Sequence, residues 1–303
     1  MFCSKRTLVE TAVELGYGTA TALDSQFGNF RKCGLLDTFD HKEARQGGEG
    51  LWHPAQRELW LAYLKQRKLG VSQQTLANLP VGGWMFGMPG IPTRHAQAAF
   101  SYWLQPALKT RSTSDPRSRV GRGIRTALDD GAAPGSTSAT KRRMRGMLEQ
   151  LNAKPWAEGV SGDVLHDAAT DLLSPDRASG SRAATHDELW FASGFERGAT
   201  FSARGLQNAS LLAINTPDVH AFWDWSRCVF QGTLHAYSDA LPELEASPTT
   251  GWLNKEPSVQ DIFENACSRL LPILGGGIDI LISGRSIDPY GAPPPLPKRP
   301  KQA

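Results

Sequence analysis

Close cysteine pairs, long apolar runs and period-two alternation are all missing from this 303-residue chain. The four cysteines stand far apart at 3, 33, 228 and 267. That spacing excludes a zinc ribbon, a CxxC redox motif and a disulfide framework, and it fits a reducing cytoplasm. The opening residues, MFCSKRTLVE, lack the apolar run of a signal peptide. The longest apolar stretch, 270–282, is short, glycine-rich and interrupted by Asp279, so no membrane partner is expected. Scarce alternation means few strands. A P-loop, GxSxG, HExxH and a strand-borne GxGxxG are also missing, and Gly275-Gly276-Gly277 lacks the Lys and Ser/Thr of a phosphate loop. The expectation is a protein that is not an enzyme and carries no metal or cofactor.

What is present is unevenly charged. Residues 1–150 hold 21 Lys/Arg against 12 Asp/Glu, and the remainder holds 12 against 18. A basic half joined to an acidic half suggests a polyanionic partner for the first. Arg outnumbers Lys about two to one and Ala and Gly abound, the composition of a GC-rich bacterial genome.

Helical patterns dominate. Residues 7–15 read as an amphipathic helix with Thr7 as N-cap and Glu10 completing a capping box. A second helix runs from about 21–24 to Cys33, with Leu23, Phe27 and Phe30 on one face and Gly34 as its stop. Residues 54–68 form a third, with Pro54 in the first turn, and Ser72 can cap a fourth carrying Leu76 and Leu79. The Gly/Pro-rich segment 80–93 reads as a loop packed on the core through Trp84, Met85 and Phe86. Further helix patterns cover about 94–108, 141–152, 161–173, 185–197, 201–213, 217–238 and 258–274. The expected division is a domain at 1–108, a basic flexible linker at 109–143, a helical domain at 144–288 and a disordered Pro-rich tail at 289–303.

Helix, tight turn, helix, polar glycine-rich hairpin, helix is the order of a winged helix-turn-helix. Four features in this order resemble the MerR-type winged helix: Gly34-Leu35-Leu36, a hairpin closing on Trp52, Leu69-Gly70, and Ser72 with Leu76. The likeness covers about a quarter of the chain. The paired aromatic usual before the Gly-Leu-Leu knot is replaced here by Gly28-Asn29-Phe30, and the wing is longer. The fold expected is therefore mostly α, with an N-terminal winged helix-turn-helix, a short β-hairpin wing and a helical C-terminal domain.

The resemblance implies duplex DNA as partner. The second helix then offers Thr21, Asp24, Ser25, Gln26 and Asn29 to base edges, Gln and Asn being matched to adenine. Arg31 and Lys32, the wing residues His41, Lys42 and Arg45, and Arg57 would meet phosphates. The linker cations, among them Arg125, Lys141, Arg142, Arg143 and Arg145, either add phosphate contacts or only solvate a hinge. The function expected is a cytoplasmic, nucleoid-associated bacterial transcriptional regulator. It would bind as a homodimer, with a protein partner or small-molecule effector served by the C-terminal domain. The alternatives are an accessory protein of a plasmid, phage or integrative element, and a helical interaction protein or metal-dependent hydrolase. For the hydrolase, His166-Asp167, Asp171, His186-Asp187, His220 and Asp224 could in principle assemble as ligands, without supporting spacing. The tryptophans 190, 223, 225 and 252 read as core before they read as a ligand pocket.

Overall fold

Ser4, not Thr7, opens the first helix: its hydroxyl accepts from the Thr7 N–H, and Glu10 is bound to Arg6 instead of closing a capping box. The structure is a computed structural model, and it describes residues 2–38, 41–42, 50–109, 125, 128–129, 131–153, 162–246, 258–284 and 290–297. Strand β1 (Cys3–Ser4) leads into α1 (Lys5–Glu14), followed by α2 (Ala20–Lys32). Next come β2 (His41–Lys42), β3 (Gly50–Trp52) and α3 (Pro54–Lys68). The three strands form one antiparallel sheet in the order β1-β3-β2, with Cys3 opposite Trp52 and His41 opposite Leu51.

After a 3-10 turn at Thr75–Ala77 come α4 (Asn78–Met85) and α5 (Thr93–Lys109). The loop expected over 80–93 is thus a buried helix in its first part. Apolar side chains wrap α4 on all sides, so it carries no amphipathic period. The chain continues with α6 (Ser138–Ala153), α7 (Gly162–Leu173), α8 (Pro175–Ala178) and α9 (His186–Gln207). It ends with α10 (Ala209–Leu212), α11 (Pro217–Glu245), α12 (Val259–Glu264) and α13 (Ala266–Ser283). The protein is mostly helical with one small antiparallel sheet. The patterns at 185–197 and 201–213 belong largely to the single helix α9, which a Thr185–Glu188 capping box opens.

Two apolar cores are present. The first unites residues from Leu8 to Leu104 with residues from Ala209 to Ile278, so it crosses the expected division between 1–108 and 144–288. Polar side chains stitch the two parts together. The Asn78 amide donates to the Glu264 carbonyl at 2.7 Å and accepts from the Cys267 N–H at 3.0 Å. Gln97 donates to the Leu212 carbonyl at 2.6 Å, and Thr93 donates to Asp224 at 2.7 Å. The second core lies between, built from α6, α7 and α9 with Leu128 and Ala132. Part of the expected linker is therefore ordered packing: Leu128, Ala132 and Ala133 are buried, and α6 begins at Ser138. Residues 110–124, 126–127 and 130 of the expected linker lie outside the described residues.

Helices α9 and α13 join the two cores at a close crossing of small residues. A Cβ on Gly275 would lie 1.8 Å from the Phe201 carbonyl oxygen, and one on Gly205 would lie 2.8 Å from the Leu271 carbonyl oxygen. The triple glycine is thus a packing surface. Asp279 of α13 meets the buried Arg204 of α9 at 2.5 Å. By length and composition α13 could cross a membrane, with a mean hydropathy of 1.4, and half of it is buried inside the protein. The tail expected to be disordered is packed over its described part, 290–297. Trp225 donates to the Tyr290 carbonyl at 3.1 Å, Pro293 is buried, and Leu296 lies on the first core.

Candidate nucleic-acid interface

The second helix is set by its apolar face. Leu23, Phe27 and Phe30 are buried at helical spacing, which turns Thr21, Asp24, Ser25 and Asn29 outward and leaves Gln26 half-buried. Phe27 meets Trp52 and Trp60 edge-on, both at 5.3 Å, and Phe30 meets Trp60 and Tyr63 in the same way. The Thr19 hydroxyl caps the start of α2. At its end Gly34 takes φ +73, its N–H bonds the Arg31 carbonyl, and the Leu35 N–H bonds the Phe30 carbonyl. This Schellman closure needs glycine twice over, because a Cβ here would also lie 2.7 Å from that of Ala98 on α5.

A buried polar network fixes the chain where it leaves α2 for the hairpin. Tyr63 donates to the Leu35 carbonyl at 2.6 Å, and burial pushes its phenol up, so it stays a donor. His95 Nε2 faces the same carbonyl at 2.8 Å and therefore carries the proton. Its Nδ1 then accepts from the Gln56 amide at 3.2 Å. Gln56 accepts the Asp37 N–H at 2.9 Å, and Trp52 Nε1 donates to the Asp37 carbonyl at 2.9 Å. The Asp37 carboxylate is held by Arg94 of α5 at 2.8 Å. The base of the hairpin is thus bound on three sides, and Trp52 closes it on Phe27. The residues that do this, Asp37, Gln56, Arg94 and His95, have no shared local pattern and were missed by sequence reasoning.

The expected DNA contacts fall into distinct environments. Thr21 and Ser25 are exposed, as are Arg31 and Lys32. Asp24 is paired with Lys5 at 2.5 Å, so a base contact from it would first have to break that pair. Asn29 donates to Gln73 at 3.4 Å. Arg57 lies 3.3 Å from Glu58. His41 and Lys42 stand on β2, with their side chains outside the described residues, as Arg45 is altogether. Arg31 and Lys32 lead into Cys33, which neighbours Tyr102 and through it Arg67; Lys65 and Lys68 are the other cations in the last turn of α3. Burial and the neighbouring Cys33 raise the Tyr102 phenol, and the Arg67 charge offsets part of that rise. Among the described residues none of these five cations has a carboxylate partner. Arg67 and Lys68 donate only to the Val71 and Gly16 carbonyls. The three on α3 were not singled out from the sequence, because basic residues in a last helical turn are expected of any helix.

Three cations of α6 differ. Arg143 bridges Asp167 and Asp171, which Arg177 also binds, and Arg145 pairs with Glu149 at 2.8 Å. Lys141 lies 3.6 Å from Asp129. Hydrogen bonds from Arg177 hold the Asp167 carboxyl below its ordinary range. Of the four carboxylates in the candidate metal set, Asp167, Asp171 and Asp224 face arginines or Thr93. Among the described residues no cluster of three His, Cys, Asp or Glu side chains is placed to hold a metal. Trp223 is wholly buried in the first core, Trp225 is half-buried and Trp190 is exposed, while Trp252 lies outside the described residues. Neither a protein-family model nor a curated protein nor a solved structure matches the chain.

Proposed function

We propose that the chain binds duplex DNA through a winged helix-turn-helix made by α1, α2 and the β2–β3 hairpin, and acts as a bacterial transcriptional regulator. One observation carries this reading: the outward polar face of α2 ends in Arg31 and Lys32, which have no carboxylate partner among the described residues, whereas Lys141, Arg143 and Arg145 pair with carboxylates of their own core. Unneutralised cations beside a polar helix face suit a phosphate backbone flanking a groove. The burial of Leu35, Leu36, Trp52 and Leu76 and the pairing of β2 with β3 support the MerR-type resemblance. In this reading Thr21, Ser25 and Gln26 face base edges, and Arg31, Lys32 and the hairpin cations face phosphates. The helical remainder serves dimerisation on two-fold sites or the sensing of an effector or partner.

Fluorescence anisotropy with labelled duplexes tests this between about 50 and about 200 mM salt. Replacing Arg31 and Lys32 by Ala should weaken binding alike for all sequences and reduce the salt slope by about 2. Replacing Gln26 by Ala should instead relax sequence preference. Absence of binding to random and genomic duplexes at the lower salt sinks the proposal. Selection from a random library that returns two-fold sites favours a regulator over an architectural factor.

A further inference from the structure

Asn29 shares with Gln26 the amide suited to adenine on α2, yet both polar atoms of its amide already have partners. Its Nδ2 donates to Gln73 Oε1 at 3.4 Å, and its Oδ1 faces the Cys33 thiol at 3.8 Å. Gln73 Nε2 in turn donates to Cys33 Sγ at 3.4 Å, which closes a ring of three contacts. A ring that engages both the oxygen and the nitrogen of one amide fixes its orientation, so a bidentate base contact would compete with it. The turn that carries Gln73 is anchored independently. Ser72 accepts from the Thr75 N–H at 3.1 Å, Leu76 and Ala77 are buried, and Gln74 donates to the Trp103 carbonyl of α5 at 2.9 Å. The ring therefore ties the exposed side of α2 to a fixed support, opposite its apolar contacts with Trp52 and Trp60.

We propose that Gln73 is a positioning residue for DNA reading: with Cys33 it clamps Asn29, and the clamp sets the position of α2 from which Thr21, Ser25 and Gln26 meet the bases. Asn29 then acts through the clamp and not as a base reader. The inference rests on the DNA-binding reading above. A displaced helix loses register at every base pair it reads, whereas a lost base reader relaxes one position only.

The test is a competition assay on the full chain, with the selected duplex, its single-base-pair variants and random duplex as probes. Gln73→Ala should lower the ratio of specific to random affinity about fivefold, the effect of one hydrogen bond, spread across the whole site and with random-duplex affinity unchanged. Asn29→Ala should do the same, and the double variant should be no worse than either single one. The swap Asn29→Gln with Gln73→Asn keeps donor, acceptor and combined reach, and should restore the ratio, which a merely structural role would not do. Relaxation at a single base pair in Asn29→Ala, with Gln73→Ala silent, overturns the proposal and leaves the DNA reading standing. Additive losses, or no rescue by the swap, also overturn it. If the unaltered protein shows no sequence preference, or Gln26→Ala does not change it, the underlying reading fails instead.

Discussion

Adding one methyl group at Gly275 should separate the two cores. The new Cβ would stand 1.8 Å from the Phe201 carbonyl oxygen and 2.8 Å from the Gly205 nitrogen, both backbone atoms that no rotamer change can move. Ordinary contact begins near 3.4 Å, so α9 and α13 must part by about 1.6 Å (3.4 less 1.8). A gap of that size forfeits most of the dispersion energy between the facing atoms, including Phe201 on Gly276 and Leu271 on Gly205. Overpacking costs about 1–3 kcal/mol in general, and a backbone clash falls at the upper end or beyond it. Alanine recovers about 1 kcal/mol of helix propensity, leaving a net loss of about 2 kcal/mol or more. At about 2 °C per kcal/mol this lowers the melting temperature by about 4 °C or more. Gly194→Ala, also inside α9, is the control: a Cβ there meets nothing within 4 Å, so only the propensity gain applies and stability should rise. Thermal and urea unfolding followed by far-UV circular dichroism read both. If Gly275→Ala unfolds with or after the unaltered protein, the close-crossing argument is wrong.

Two further outcomes follow from single contacts. Burial alone would raise the Glu188 carboxyl, but the Arg182 guanidinium and the Thr185 N–H outweigh it and hold the group at about 2, against an ordinary 4.5. A depressed carboxyl contributes stability above its unfolded value and loses it as pH falls toward its folded value. The urea midpoint of the unaltered protein should therefore exceed that of Glu188→Gln above about pH 4.5, with the gap closing toward pH 2; a constant gap contradicts the assignment. Ser4→Ala should cost about 1 kcal/mol by removing the cap of α1, and Thr7→Ala clearly less; the reverse order in urea unfolding would restore Thr7 as the cap.

The reach of the sequence can be judged residue by residue. Leu23, Phe27, Phe30 and Gly34 repeat at helical spacing and stop at a glycine, so both the course and the facing of α2 were readable. The hairpin was placed by Trp52. Ser4 and Thr7 both satisfy the spacing of a cap, and only the three-dimensional structure shows Glu10 drawn to Arg6. Helix α4 escaped because a helix buried on every side has no period to detect. The bonds from Asn78 to residues 264 and 267 escaped because nothing local signals a contact across 186 positions. In the interface, residue type suggested a reader at Asn29, and geometry gives that side chain partners of its own. For the cations of α6 the sequence left phosphate contact and a solvated hinge equally open, and the structure gives Lys141, Arg143 and Arg145 carboxylate partners at Asp129, Asp167 with Asp171, and Glu149.

The shared first core has a consequence for how the chain is made. Trp84, Phe100 and Asn78 complete their surroundings only with residues after 209. On a ribosome adding about 5–20 residues per second, the N-terminal segment waits on the order of ten seconds for its missing half. The intervening α6–α9 unit has its own core and can condense meanwhile. An expressed fragment ending at 108 would keep that apolar surface open permanently, so dissection of this protein by truncation at that point should give aggregates instead of an isolated binding module.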